Sequence, residues 1–498
     1  MLSLKQLSII VKDHLNQNTQ LHNQEQSNKW TIGQSGISGR GLIAVEDIRS
    51  GEVLFVDHPI IVGPRSSTNV QTGCTVCGKN DSEILFQCDN CCLLLCSHQC
   101  QSSKTHSDDC IIISGWGNKV PIENVNDTLL SRCLAPIRIL SLNTDQQKFM
   151  NALQAHAGPQ HGSEIRELTE YFDIPADEEE LITIAACILD ANAFEIGNPY
   201  GRKTVSRRGL YPVSSLMNHN CVPNTKHTFN EDNHMIVKAV KPIPAGTELT
   251  TCYSGVLWGT PARRLHLFKT KHFWCKCERC SDPTERGTFL AALKCFESSC
   301  PSALLPVEPL NPNSAWCCLS CKLKVPNSNI SAIQSALGSL IGSLNFKNIS
   351  ELEKFYLDRV FKYIPRSNQI VVDLQCRIVF EFGEIDGCRW HELSESRLEL
   401  KEGLCRNILT TVTALGLGDI HLRGLLLYHL HATLAEKARR TPELYEELKA
   451  EIEDTIQQAY DILQGNIASP PDLKLRYQYL GPGSQRPHEE RFFILTHS

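Results

Sequence analysis

Paired cysteines and a histidine are the residues of this chain whose spacing speaks first of chemistry. Cys74-x-x-Cys77, Cys88-x-x-Cys91, Cys96-x-x-x-Cys100 and His106-x-x-x-Cys110 follow one another within residues 74–110. Zinc takes four such ligands tetrahedrally, so eight ligands in four pairs make two closed sites. Closed sites are structural, because a catalytic zinc keeps one position open for water. So short a segment builds no core of its own, and metal binding supplies its folding energy. Further on, Cys275-x-Cys277-x-x-Cys280 offers three thiolates, one short of a tetrahedron, while Cys295, Cys300, Cys318 and Cys321 form either another set of four zinc ligands or scattered core cysteines. A second kind of chemistry is carried by Asn218-His219-x-Cys221-x-Pro223-Asn224, a combination that very few folds need. Around it lie a glycine-rich turn with Gly39, Arg40 and Gly41, and the stretch Gly246-Thr-Glu-Leu-Thr-Thr-Cys-Tyr253. Taken singly, each of these has an ordinary reading: a Gly-x-Gly makes a turn, and a lone His is a satisfied core residue.

These residues need a scaffold of several domains. A chain of 498 residues is too long for one ordinary core, so about two to four domains are expected. The net charge is −6, without a long basic run, which argues against nonspecific nucleic-acid binding. No stretch of about 18 apolar residues exists, so no membrane span is expected. Lys5, Lys12 and Asp13 interrupt the apolar pattern at the N-terminus, which does not read as a signal peptide. Without one, 23 cysteines suggest metal ligands in a reducing compartment rather than disulfides.

Along the chain, residues 1–28 read as a short amphipathic helix (Leu4, Leu7, Val11, Leu15) and a polar tail, a loosely tied extension. From Trp30 the pattern is strand and turn, with Ser50-Gly51 joining two alternating runs. Residues 111–190 are helical in pattern, with Asp177–Glu180 suited to a helix N-terminus. Arg263–Phe268 also reads helical. From Ile330 the chain is all-helical: Leu422, Leu426, Leu430 and Leu434 make one apolar stripe, and Leu444, Leu448, Ile452, Ile456 and Tyr460 another, begun by Thr441-Pro442-Glu443. Residues 470–498 read as irregular.

The Asn-His-x-Cys-x-Pro-Asn stretch resembles the core of a SET domain, the fold of protein lysine methyltransferases. The composite, with a cysteine-rich finger between the glycine-rich turn and the core, resembles the SMYD family, in which a MYND finger is inserted into a split SET domain. In detail it is most similar to the SmydA-type proteins of arthropods. The resemblance implies a multidomain α+β chain: an N-terminal extension (1–28), the first part of SET (29–70), a MYND finger (74–110), a helical insertion (111–190), the SET core (191–258), a post-SET region with an extra zinc cluster (259–325), and a helical, tetratricopeptide-like C-terminal domain (326–498). It implies interleaved zinc ligands in the finger, Cys74, Cys77, Cys96 and Cys100 on one ion, Cys88, Cys91, His106 and Cys110 on the other. Cys221 becomes the fourth ligand beside Cys275, Cys277 and Cys280, and about four structural zinc ions are expected in all.

It further implies S-adenosylmethionine (SAM) as cofactor, approached by the backbone of Gly39, Arg40 and Gly41 and contacted by Asn192, Asn218 and His219. Asn192-Ala-Phe194 read alone is a turn cap followed by a core aromatic. Phe273 would pack on the cofactor and wall the lysine channel, and Tyr253 would place its phenol at the transfer point. The expected activity is SAM-dependent methylation of histone or non-histone lysines by a cytoplasmic or nuclear monomer, with proline-rich peptides as partners of the finger. The alternative is a recruiting scaffold in transcription regulation with weak catalysis. One departure bears on that choice: where the family's post-SET segment carries an aromatic residue lining the channel, this chain has Lys271.

Overall fold

The computed structural model describes residues 2–22, 28–65, 73–81, 83–155, 162–197, 204–358, 361 and 364–484. It divides into two compact units of interleaved sequence. One comprises Met1–Asn218, His227–Leu249 and Gly465–Pro470. The other comprises His219–Lys226, Thr250–Gln464 and Pro471–Ser498. The chain passes from one to the other within the Asn218-His219 dipeptide.

In the first unit the glycine-rich turn is the tip of a hairpin. Trp30–Gln34 pairs antiparallel with Arg40–Ala44, Gln34 opposite Arg40, and Arg40–Ala44 pairs in turn with Glu248 and Leu249. A second sheet joins Arg207–Leu210 to Ile61–Pro64 and Phe194–Ile196, and Met235–Ala239 pairs with Val53–Asp57. Helices Asp127–Ile137 and Ala176–Asn192 pack on each other beneath this β-structure; Asp177, Glu178 and Glu179 fill the first turn of the second, where the helix dipole favours them.

The N-terminal segment differs from its expected loose attachment. It forms one helix, Leu4–His22, whose Leu7, Val11 and Leu15 are buried in the core of the unit. A polar latch adds to that stripe. His14 Nε2 lies 3.2 Å from Oδ1 of Asp57, a fully buried carboxylate whose Oδ2 accepts the amides of Val213 and Ser214 at 2.9 and 2.7 Å. Asp57 thereby fixes the turn that leads into Asn218.

In the second unit helix Thr260–Lys271 leads to the cysteine loop, and four short strands, Leu293–Lys294, Ala303–Pro306, Trp316–Cys318 and Lys324–Val325, form an antiparallel sheet around Leu304 and Trp316. Helices Gln369–Glu381, Glu395–Ala414, His421–Arg440 and Tyr445–Leu463 then pack each on the next. His421–Arg440 is buried almost all round, beyond its leucine stripe, because it is covered from both sides. The stretch read as irregular contains a further helix, Leu473–Leu480, with Leu473, Arg476 and Leu480 buried; residues 485–498 lie outside the described residues. Among the described residues no helix is long and apolar enough to cross a membrane.

Candidate active site and zinc centres

The structure brings sixteen donor residues together as four tetrads: Cys74, Cys77, Cys96 and Cys100; Cys88, Cys91, His106 and Cys110; Cys221, Cys275, Cys277 and Cys280; and Cys295, Cys300, Cys318 and Cys321. Within each, all four ligand atoms lie within 4.8 Å of one another. Zinc–sulfur bonds of about 2.3 Å put tetrahedral sulfurs roughly 3.8 Å apart. The sulfur separations fit: 3.7 Å for Cys96 to Cys100, 3.9 and 3.5 Å for Cys221 to Cys275 and Cys280, 3.6 Å for Cys300 to Cys318. These distances are far beyond an S–S bond.

Surrounding groups orient the donors. His106 Nδ1 lies 2.7 Å from the Gln101 carbonyl, which leaves Nε2 to face its tetrad, 3.5 Å from Cys91 Sγ. Ser103 caps the helix that carries His106 and Cys110, and Asp109 between them forms a buried ion pair with Arg138, Nη2 to Oδ2 2.6 Å. Cys92 is buried outside the tetrads, in the left-handed region at φ 61°, closing the knuckle after Cys91.

The cofactor residues named from the sequence fall into two groups. In the first unit the amide nitrogen of Asn218 faces four acceptors: the Ser38 and Arg40 carbonyls at 3.1 and 3.0 Å, Ser35 Oγ at 3.0 Å and Glu248 Oε1 at 2.7 Å. Its side chain is thus a clamp on the glycine-rich turn. Ser35 Oγ donates to Glu248 and accepts the amides of Ile37 and Ser38. Glu248 is the residue that sequence reading missed; the signal was a lone carboxylate in an otherwise uncharged strand. A Cβ at Gly41 would stand 2.3 Å from Glu248 Oε1, so only glycine leaves this carboxylate its place. Gly39, at φ 58°, has no atom of the described residues within 4 Å of its Cβ position, and its left-handed backbone is what favours glycine there. Arg40 donates to the Ala152 carbonyl, and Asn192 Nδ2 to the carbonyls of Gln154 and Ile188, both at 2.8 Å. The Asn192 amide therefore ties down the end of its own helix.

In the second unit His219 is the hub. Its Nδ1 accepts the Tyr253 backbone N–H at 2.9 Å, which puts the ring proton on Nε2, 3.2 Å from Cys221 Sγ. Burial pushes its pKa down to about 4, so the ring is neutral at physiological pH. The rings of Tyr253 and Phe273 lie 5.3 and 5.9 Å from it. Lys271, the last residue of its helix, holds its Nζ 5.7 Å from the centre of the Tyr253 ring, and His272 ends the helix at φ 58°. Trp274 stacks on Phe268 at 4.5 Å, and Arg264 donates to the Cys275 carbonyl at 3.0 Å, fixing the loop between helix and metal site. Buried Arg263, Arg279 and Glu285, to which the sequence reading gave no role at the site, surround the same tetrad.

Residues 39–254 match the SET domain family. The chain is 30% identical over 412 residues to SET domain-containing protein SmydA-8, isoform A, of Drosophila melanogaster, covering 81% of this chain and 88% of that protein. It is 27% identical over 304 residues to histone-lysine N-methyltransferase SMYD3 of Mus musculus (56% of this chain, 67% of that one). It is 26% identical over 295 residues to histone-lysine N-methyltransferase ASHR1 of Arabidopsis thaliana (54% and 59%). Match, identity and coverage agree: the chain belongs to the SET-domain family, among SMYD proteins of the SmydA type.

Proposed function

We propose that this chain is a SAM-dependent protein-lysine N-methyltransferase. The observation that carries the reading is His219, a neutral imidazole whose Nδ1 holds the Tyr253 backbone N–H within the second unit; in the first unit, Asn218 clamps the glycine-rich turn. SAM, when bound, supplies a methyl group on a positive sulfonium. Gly39, Arg40 and Gly41 offer it backbone, and Asn218 keeps that backbone in shape. The acceptor must arrive as a neutral amine, although a free lysine has a pKa near 10.4. Tyr253 orients the amine through its phenol. Neutral His219 fixes Tyr253 without adding charge, and Lys271 raises the local positive potential, which favours loss of the acceptor's proton. Most of the rate then comes from positioning and electrostatics.

Two of the relatives are named histone-lysine methyltransferases, which makes histone lysines the first substrates to try and a nuclear or cytoplasmic site of action the expected one. Proline-rich partners for the finger and a monomeric state complete the proposal, on the family resemblance. The scaffold reading is favoured by Lys271, whose Nζ lies 5.7 Å from the centre of the Tyr253 ring and would repel a lysine approaching that ring. Incubation with methyl-labelled SAM and histones, followed by amino-acid analysis of the product, tests the proposal. Label recovered as methyl-lysine supports it; zinc-loaded protein that neither binds SAM in calorimetry nor transfers label refutes it.

A further inference from the structure

The Cys221 tetrad sits in an unusual charge environment. Arg263, Arg279 and Glu285 are each at most 1% exposed. Glu285 Oε2 accepts from Arg263 Nη1 at 2.6 Å and from Arg279 Nη2 at 3.1 Å, while its Oε1 accepts the Thr260 amide at 2.9 Å. One carboxylate thus faces two guanidiniums, which leaves a surplus positive charge buried away from water. Such a charge is expensive unless an anion meets it. Among the described residues, the other groups these arginines reach are the backbone carbonyls of Trp258, Val256 and Cys221, the Thr260 hydroxyl and two ligand sulfurs. Arg263 Nε donates to Cys221 Sγ at 3.2 Å, and its Nη2 lies 3.5 Å from Cys280 Sγ. Four thiolates around one divalent zinc carry two negative charges in excess. The surplus cation and the surplus anion answer each other. The same Cys221 sulfur receives Nε2–H of His219, whose Nδ1 holds the Tyr253 backbone.

We propose that Arg263 is a positioning residue that neutralises the thiolates of the Cys221 tetrad and, through Cys221 and His219, holds Tyr253 in place. Its charge keeps Cys221 and Cys280 as hydrogen-bonded, weakly nucleophilic metal ligands. Its fork sets the direction of Cys221 Sγ, which sets the tilt of the imidazole and so the backbone position of Tyr253. The part concerning Tyr253 rests on the methyl-transfer reading above; the part concerning the metal does not.

The test uses full-length, zinc-loaded protein. Arg263→Gln keeps hydrogen-bond donors and removes the charge; Arg263→Lys keeps the charge and loses the fork. In Arg263→Gln one zinc equivalent of the four should pass to a competing chelator on the order of tenfold faster, because charge-assisted hydrogen bonds to its ligands are gone. Under limiting iodoacetamide, Cys221 and Cys280 should be alkylated first, with the other three tetrads unchanged. Arg263→Lys should restore zinc retention but not kcat, and SAM affinity should hold in both. Unchanged zinc release and alkylation in Arg263→Gln, or an Arg263→Lys that loses metal as Arg263→Gln does, overturns the metal role. An unaltered kcat in both variants, with wild-type transfer present, overturns the Tyr253 role. A wild type without transfer would sink the methyl-transfer reading and leave the zinc results standing. Should the variants misfold, NMR of wild type loaded with an NMR-active cadmium isotope and nitrogen-labelled arginine decides: scalar coupling from cadmium to the Arg263 Nε proton across the sulfur is expected, and its absence overturns the proposal.

Discussion

Asn218 does its work with one amide group. With two N–H donors shared among the Ser38 and Arg40 carbonyls, Ser35 Oγ and Glu248 Oε1, it makes the glycine-rich turn a fixed surface. Asn218→Ala should weaken SAM binding by ~0.5–1.5 kcal/mol in calorimetry, the usual net worth of a hydrogen bond, without changing the zinc content. Gly41→Ala should act the same way: the new methyl group would meet Glu248 Oε1 at 2.3 Å, and that carboxylate can swing away only by releasing Ser35 and Asn218. An unchanged affinity in both variants would show that the turn is not the cofactor surface. Lys271 holds its Nζ 5.7 Å from the centre of the Tyr253 ring, and an acceptor lysine that arrived there still protonated would be repelled before it could lose its proton. The repulsion is on the order of 1 kcal/mol if solvated. Lys271→Tyr should therefore raise transfer to peptide lysines while leaving SAM affinity unchanged; a vigorous wild type indifferent to the substitution would place Lys271 outside the acceptor path. At this scale the sequence was readable where spacing is rigid, as in Asn218-His219-x-Cys221. Glu248 and Arg263 escaped because their partners stand far away in sequence: Ser35 is 213 residues before Glu248, and Arg263 reaches Cys221 across 42.

The small elements of this chain depend on metal. The sheet of Leu293–Lys294, Ala303–Pro306, Trp316–Cys318 and Lys324–Val325 has strands of two to four residues, too short to persist alone. Elemental analysis should find about four zinc ions per chain, one for each closed tetrad. Cys318→Ser should lower that count by one and spare SAM binding, whereas Cys275→Ser should lower it by one and impair transfer through the Cys221–His219–Tyr253 connection. A Cys318→Ser protein with an unchanged zinc count would remove that site. Ligand spacing made the finger and this set of four cysteines legible, whereas the strands that carry Cys318 and its neighbours were not read from the sequence. Leu473–Leu480 was missed for a physical reason: Pro470, Pro471 and Gly481 look like loop residues, yet prolines ahead of a helix and glycine just past its end are where such residues belong. The N-terminal helix was judged loose because its polar second half hides a first half that buries Leu7, Val11 and Leu15.

Over the whole molecule, pH sensitivity is carried by buried imidazoles such as His431. The helical region buries His431 entirely, with its Nδ1 3.0 Å from the Ile452 carbonyl of the neighbouring helix, and burial pushes its pKa down to about 3, with the Arg476 charge in the same direction against the opposing Asp472. A folded pKa below the unfolded value of about 6.5 means the unfolded chain binds the extra proton. The stabilisation is present above that pH and drains as pH falls through the window towards 3, by about 1.4 kcal/mol per pH unit for this one imidazole. His431→Asn, which keeps a donor for Ile452, should flatten the fall of unfolding midpoint between pH 6.5 and pH 4 relative to wild type; parallel curves would contradict the buried neutral ring. The division of the chain into interleaved units could not be read from sequence order, because the boundary falls within the Asn218-His219 dipeptide that the sequence presents as one motif. Both halves of that dipeptide serve one claim, that the chain transfers methyl groups to lysine with Tyr253 at the transfer point. The most direct measurement is radiolabelled transfer from SAM onto a proteome extract by zinc-loaded wild type and by Tyr253→Phe, with SAM binding checked in parallel. The account predicts labelled lysines with wild type, a strong loss with Tyr253→Phe, and equal SAM affinity for both; equal labelling by the two proteins, no stronger than background, would contradict it.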